Sequence, residues 1–172
     1  MTTTEEVPVN IACMYKATEI AAVFVQKGID DKKPVTQMQV QKLVYFAHGL
    51  HLALTGEPLI YEQFQAWRFG PVVPSIYQRY KFEGASPILE TSIGYTRSQY
   101  PPALEGTAKQ AVNNTWDILK DLSGSQLSNW THKSGLAWSA YYRPDEHGSI
   151  ENDIIIPNSR IREDFLPFIK EV

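Results

Sequence analysis

His48 and His51 stand three positions apart in an apolar-periodic stretch. On a helix both side chains would leave neighbouring points of one face and could meet at a single metal ion. A catalytic zinc holds three protein ligands and one open position, and His132 or a carboxylate such as Glu62 is the third ligand on offer. No spacing brings that third ligand to the pair. The competing reading makes His51 a hydrogen-bonded core residue near the centre of the apolar face, with His48 at its flank, and it is the preferred one. A metal-dependent enzyme using His48, His51 and His132 stays as the alternative. His147 sits between Glu146 and Gly148 and reads as solvated.

The other reactive types lead nowhere more specific. The adjacent carboxylates Glu5-Glu6, Asp30-Asp31 and Glu163-Asp164 diverge on a helix or strand and are read as solvated, whereas glycoside hydrolysis needs carboxylates face to face. Tyr77-Gln78-Arg79-Tyr80-Lys81-Phe82 interleaves rings with cations, a pattern that with Arg68 could stack bases and hold phosphates. It fits better an amphipathic helix with its tyrosines inward and Arg79 outward. Cys13 lies among Ile11, Ala12 and Met14 and reads as a small buried hydrophobe. The sequence lacks the phosphate-loop, dinucleotide-fingerprint, nucleophile-elbow and H-E-x-x-H patterns. We assign no catalytic residue, no cofactor and no metal ligand.

The composition narrows the partner class. Sixteen basic against nineteen acidic side chains give a net charge of −3, so no global positive field favours a phosphate backbone, and nucleic-acid binding is disfavoured. One cysteine forms no internal disulfide and suits a reducing compartment. The N-terminus has no apolar run of a secretory signal, and no segment approaches the ~20 apolar residues of a membrane span. The expected location is the cytoplasm. Aromatic residues make up 12%, which calls for an aromatic core or for rings exposed to a partner.

The elements that must position these groups follow from periodicity and punctuation. Residues 1–9 are expected to be a disordered lead and residues 10–172 one domain. Asn10 can cap a helix running to about Lys27, stopped by Gly28. Thr36 and Gln39 form a capping box for a helix whose inner face is Val40, Leu43, Val44, Ala47, Leu50, His51 and Leu54, ended by Gly56. Phe64–Phe69 reads as a strand stopped by Gly70-Pro71, with Val72-Val73-Pro74 extended and Ser75 capping a short helix to Gly84. Ile88-Leu89 and Ser92–Tyr95 are candidate short strands in an irregular, proline-rich stretch. Thr107 opens a helix with inner face Ala108, Ala111, Val112, Thr115, Ile118, Leu119 and Leu122, closed by Gly124. Ser125 caps a further short helix, Gly135–Pro144 is a loop or helical turn, Ile154–Ile156 a short strand or buried run, and Ser159 caps a last helix broken at Pro167. The sum is an α+β, predominantly helical chain with a small antiparallel sheet.

Three blocks are recognisable. Gln41-Lys42-Leu43-Val44-Tyr45-Phe46-Ala47-His48-Gly49 resembles the "QKLLYFAHG" helix of the Panacea family, the SocA-like antitoxins, which include phage-associated proteins. Phe64-Gln65-Ala66-Trp67-Arg68-Phe69-Gly70-Pro71-Val72-Val73-Pro74-Ser75-Ile76-Tyr77 resembles its "EAWKYGPVVPSLY" block. Leu127-Ser128-Asn129-Trp130-Thr131-His132 followed by Trp138 is similar to its "LS..TH....PW" segment. Ala137 stands where the family often has proline, and the stretch 90–106 is long and proline-rich. The resemblance spans about residues 12–142. It implies a mostly helical domain with a small sheet that neutralises a toxin by direct binding. In some members it implies delivery of the bound toxin to an ATP-dependent protease.

Read physically, these blocks supply the partner-binding candidates: Trp67, Arg68, Gly70, Pro71, Val73, Tyr77, Thr131, His132 and Trp138. A Gly-Pro turn stiffened by Pro71 and Pro74 loses little entropy when a partner docks, and suits equally a structural corner between sheet and helix. Trp138 is expected to be buried with its N–H bonded, and Trp130, Tyr141 and Tyr142 are candidate exposed anchors. The expected partner is a cognate protein toxin, with no membrane. The oligomeric state stays open.

Overall fold

The computed structural model describes residues 14–91, 101–144, 147 and 153–169. Expectations for residues 1–9, the Asn10 cap, Cys13 and Ser92–Tyr95 lie outside them. The fold is predominantly helical with a three-stranded antiparallel sheet.

The organising element is α2 (Gln37–Thr55). Thr36 Oγ1 accepts the Gln39 N–H while Gln39 Oε1 accepts the Thr36 N–H, so the capping box forms as its residue types require. Gly56, at φ 77°, closes the helix in the left-handed conformation. Apolar residues on more than one side of α2 are buried because α1 (Ala17–Asp30), α4 (Gly106–Leu119), α5 (Gly124–Thr131) and α7 (Asn158–Phe165) all pack on it. At the α7 crossing Gly49 is needed for closeness: a Cβ there would lie 2.2 Å from the Phe165 ring.

Several predicted boundaries move, each for a local reason. Gly28 does not stop α1. It lies inside the helix, its carbonyl accepting the Lys33 N–H, and Lys32 takes the left-handed position beyond (φ 56°). Gly70-Pro71 does not simply end the strand. Residues Gly70–Val72 turn back as β2 and pair with β1 (Phe64–Trp67), Trp67 opposite Gly70, leaving a two-residue Arg68-Phe69 tip. β3 (Ile155–Ile156) covers the other edge of β1, giving the order β2-β1-β3. The helix α3 (Pro74–Tyr80) starts one residue ahead of Ser75, because Pro74 fills the first helical turn where no N–H is needed. Ile88-Leu89 forms no strand; Ile88 is buried and its N–H donates to Val35 O.

α4 ends before Gly124, which instead opens α5, and Ser123 rather than Ser125 caps that helix in a box with Gln126. Ile118, expected inside, is 74% exposed. The stretch after Gly135 forms α6 (Ala137–Tyr141). α7 begins beyond Pro157 rather than at Ser159, and a short 3-10 turn, Leu166–Phe168, accommodates Pro167. No helix among the described residues is long and apolar enough to cross a membrane.

Candidate partner-binding site

The β1–β2 hairpin is gripped through its backbone. Five carbonyls, from Trp67 in the hairpin to Val73 just beyond it, face a side-chain hydrogen-bond partner on a surrounding helix or its cap. Trp138 Nε1 donates to Trp67 O at 2.7 Å, and His132 Nε2 lies 3.1 Å from Arg68 O. Ser128 Oγ donates to Phe69 O at 2.8 Å, and Lys42 Nζ to Pro71 O at 3.0 Å. The Gln41 amide clamps Val73 from both sides, Nε2 donating to its carbonyl at 3.1 Å and Oε1 accepting its N–H at 3.0 Å. A Gln side chain here does what a neighbouring strand would do, in a segment where no strand is present.

Each support is placed by its own element. Gln41 and Lys42 share the turn of α2 nearest β2, and both are buried. Gly70 makes room for the lysine: at φ 113° it avoids the strain of a side chain, and a Cβ would sit 2.7 Å from Lys42 Cε and 2.9 Å from Thr131 Oγ1. Thr131 is buried and donates to Ser128 O. His132 Nδ1 is 2.6 Å from that same carbonyl, so both ring nitrogens point at carbonyl oxygens. The ring packs on Trp138, centroids 3.8 Å apart, and Tyr142 stacks on the same indole at 4.4 Å.

The predicted partner-binding set therefore divides. Gly70, Pro71, Val73, Thr131 and Trp138 are buried, and His132 is half-buried beneath the hairpin. Arg68 and Phe69 are exposed at the tip, Phe69 to 60%, with the Arg68 guanidinium over its ring at 5.5 Å. Trp67 is half-buried, edge-on to Tyr77 at 5.1 Å, and Tyr77 is 38% exposed. Between the tip, α2 and α3 lies a cleft of ≈ 330 Å³ lined by Gln37, Met38, Gln41, Lys42, Val72 and these residues. Gln41, Lys42 and Ser128 escaped the residue-level reading. The signal for Gln41 and Lys42 was two adjacent polar residues set among the apolar positions of α2.

Residues 40–139 match the family model described as Antitoxin SocA-like, Panacea domain. The chain belongs to the SocA-like Panacea family. It is 30% identical over 128 residues to Antitoxin SocA of Caulobacter vibrioides (strain NA1000 / CB15N), an overlap covering 71% of this chain and 68% of that protein. No solved structure matches it. The matched region of this Panacea domain contains every side chain that holds the hairpin and the exposed Arg68, Phe69 and Tyr77, while Gln37 and Met38 of the cleft lie just before it.

The histidine pair serves the fold in this Panacea domain. His48, fully buried rather than at a boundary, accepts the Leu59 N–H at Nδ1 (3.3 Å) and donates from Nε2 to Asn158 Oδ1 (2.9 Å). His51 takes the opposite tautomer, Nδ1 donating to Glu57 O (2.7 Å) and Nε2 accepting from Thr107 Oγ1 (3.1 Å). Burial lowers the pKa of His48 to about 4 and also lowers that of His51. Glu62 accepts the Ala17 N–H and the Ser75 hydroxyl. No cluster of three or more His, Cys, Asp or Glu side chains among the described residues could hold a metal.

Other expectations are corrected. Asp164 is buried, not solvated: it accepts the Ala137 N–H at 2.6 Å and pairs with Arg160. Asp31 is exposed, as expected, and also accepts the Trp116 indole N–H. Trp130, Tyr141 and Tyr142 are half-buried against the core rather than free anchors. Tyr80 is inward as expected but Tyr77 is outward, and Arg79 lies half-buried over the Tyr80 ring. Lys81 lies over Phe82 and donates to Gln78.

Proposed function

We propose that this chain is a non-catalytic antitoxin that neutralises a cognate protein toxin by direct contact, through the face formed by Trp67, Arg68, Phe69 and Tyr77. The observation that carries the proposal is the fixation of the hairpin backbone. Five carbonyls held from three helices leave the tip little freedom to lose on docking, and the exposed groups are aromatic and Arg, the types that dominate interface energetics. Membership of the family and the name of the Caulobacter relative support the antitoxin role.

The test is co-expression with the product of the adjacent gene. The wild-type chain should relieve growth arrest and co-elute with the toxin. An Arg68→Glu, Tyr77→Ala double variant should lose both while its melting temperature stays within a few degrees of wild type, since both side chains are exposed. Growth arrest that persists with wild type, and no complex, would sink the proposal.

A further inference from the structure

The cleft beside the hairpin has a charge pattern at odds with the rest of the molecule. The chain is acidic, at net −3. Yet the cleft is lined by the exposed Arg68 guanidinium and the buried Lys42 amine, which donates to Pro71 O, and by no carboxylate. Among the described residues neither of these basic groups enters an ion pair; the pairs that form are Lys33–Asp121 and Arg160 with Glu163 and Asp164. The rest of the wall is aromatic and aliphatic, Trp67, Tyr77, Met38 and Val72 among it, together with the neutral amides of Gln37 and Gln41. Arg68 lies over the Phe69 ring, a partly ordered guanidinium that still faces solvent.

We infer that this cleft receives an acidic side chain, Glu or Asp, carried on an apolar segment of the partner, with Arg68 as its ion-pair donor and the rings of Trp67 and Tyr77 packing the flanking apolar residues. The inference deepens the antitoxin reading and rests on it. A guanidinium takes a carboxylate bidentately, which fixes orientation as well as sign. A cleft of ≈ 330 Å³ suits one or two side chains rather than a backbone track. A phosphate backbone is the competing anion, but one exposed guanidinium on a net-negative chain falls short of the basic stripe that nucleic acid requires.

The experiment is selection of a random displayed-peptide library on the full chain and on Arg68→Gln and Arg68→Glu variants whose melts match wild type. The expected result is enrichment of peptides with Glu or Asp next to Leu, Phe or similar residues. These should bind the Arg68→Gln variant about tenfold more weakly and be lost with Arg68→Glu. The wild-type chain should also leave a fluorescent single-stranded oligonucleotide unbound. Peptides without acidic enrichment, peptides that bind Arg68→Glu equally well, no enrichment at all, or an oligonucleotide that binds with salt dependence and competes with the peptides would each overturn the inference. The two readings fail separately. Toxin rescue that survives Arg68→Glu alone ends the carboxylate inference and leaves the antitoxin proposal standing, whereas absence of any rescue ends the proposal.

Discussion

At the scale of single residues, Lys42 is the side chain whose position most departs from its chemistry. It is 1% exposed, and burial lowers its pKa from 10.5 to about 7. Below pH 7 folded and unfolded chains both carry the proton, and the full cost of the buried cation is present. Between pH 7 and 10.5 the unfolded chain binds more protons than the folded one, so this residue's contribution to stability rises with pH. Lys42→Met removes the titrating group and leaves Pro71 O without its donor. The stability difference between variant and wild type should favour methionine most at pH 6. It should move against methionine towards pH 10 by at most about 1.4 kcal/mol per pH unit. Urea unfolding of both proteins at pH 6, 8 and 10 measures it, and a difference flat in pH would mean that the lysine keeps its ordinary proton affinity. The sequence marked His51 correctly as a hydrogen-bonded core residue but placed His48 at the boundary, whereas the structure buries both. Which histidine is fully enclosed depends on Asn158, 110 positions beyond His48, and no local pattern reports that packing.

At the scale of elements, what was legible tracks how local the cause is. The α2 capping box and its Gly56 stop rest on residues within one turn, and both appear as expected. The fate of Gly70-Pro71 rests on partners far along the chain: Lys42 and Thr131 make the space in which the glycine turns, so a string that reads as a strand stop becomes the start of β2. Gly28 misled in the same way, its lack of a side chain serving the close approach of Lys33 O rather than a helix end. Ala137 shows the reverse. As the first residue of α6 it could be proline, but here its N–H donates to the buried Asp164, tying α6 to α7. The α2–α7 crossing yields a sharper prediction. Gly49→Ala places a methyl into the Phe165 ring and should cost about 1–3 kcal/mol or more, and Phe165→Leu in the same chain should recover part of that loss. Strictly additive losses in the double variant, read by denaturant unfolding, would show that the helices separate rather than clash.

At the scale of the molecule, the three blocks that carry the family resemblance lie far apart in sequence and converge on one hairpin. Gln41 and Lys42 come from α2, the hairpin supplies the carbonyls, and Ser128, His132 and Trp138 come from α5, the residue that follows it and α6. No single block has a folded meaning without the other two, which is why the two readings of this string could not be separated from sequence: the peptide is a structural corner through its inward carbonyls, and it leaves its tip side chains turned outward. Such cross-connection should make the hairpin melt with the helices and not before them. Gln41→Ala leaves the buried Val73 N–H unpaired, while the Val73 carbonyl keeps the Ile76 and Tyr77 N–H groups of α3, a loss of about 1–3 kcal/mol. If the hairpin is integral, that variant lowers the midpoint seen by far-UV circular dichroism and the midpoint seen by tryptophan fluorescence, to which Trp67 and Trp138 contribute, by the same amount. Toxin neutralisation should then fall only as the folded fraction falls. Arg68→Glu should do the opposite, leaving both midpoints in place while binding is lost. An earlier fluorescence transition in Gln41→Ala, with helicity retained, would instead identify the hairpin as a separately ordering element and place the entropy cost of docking back on the binding step.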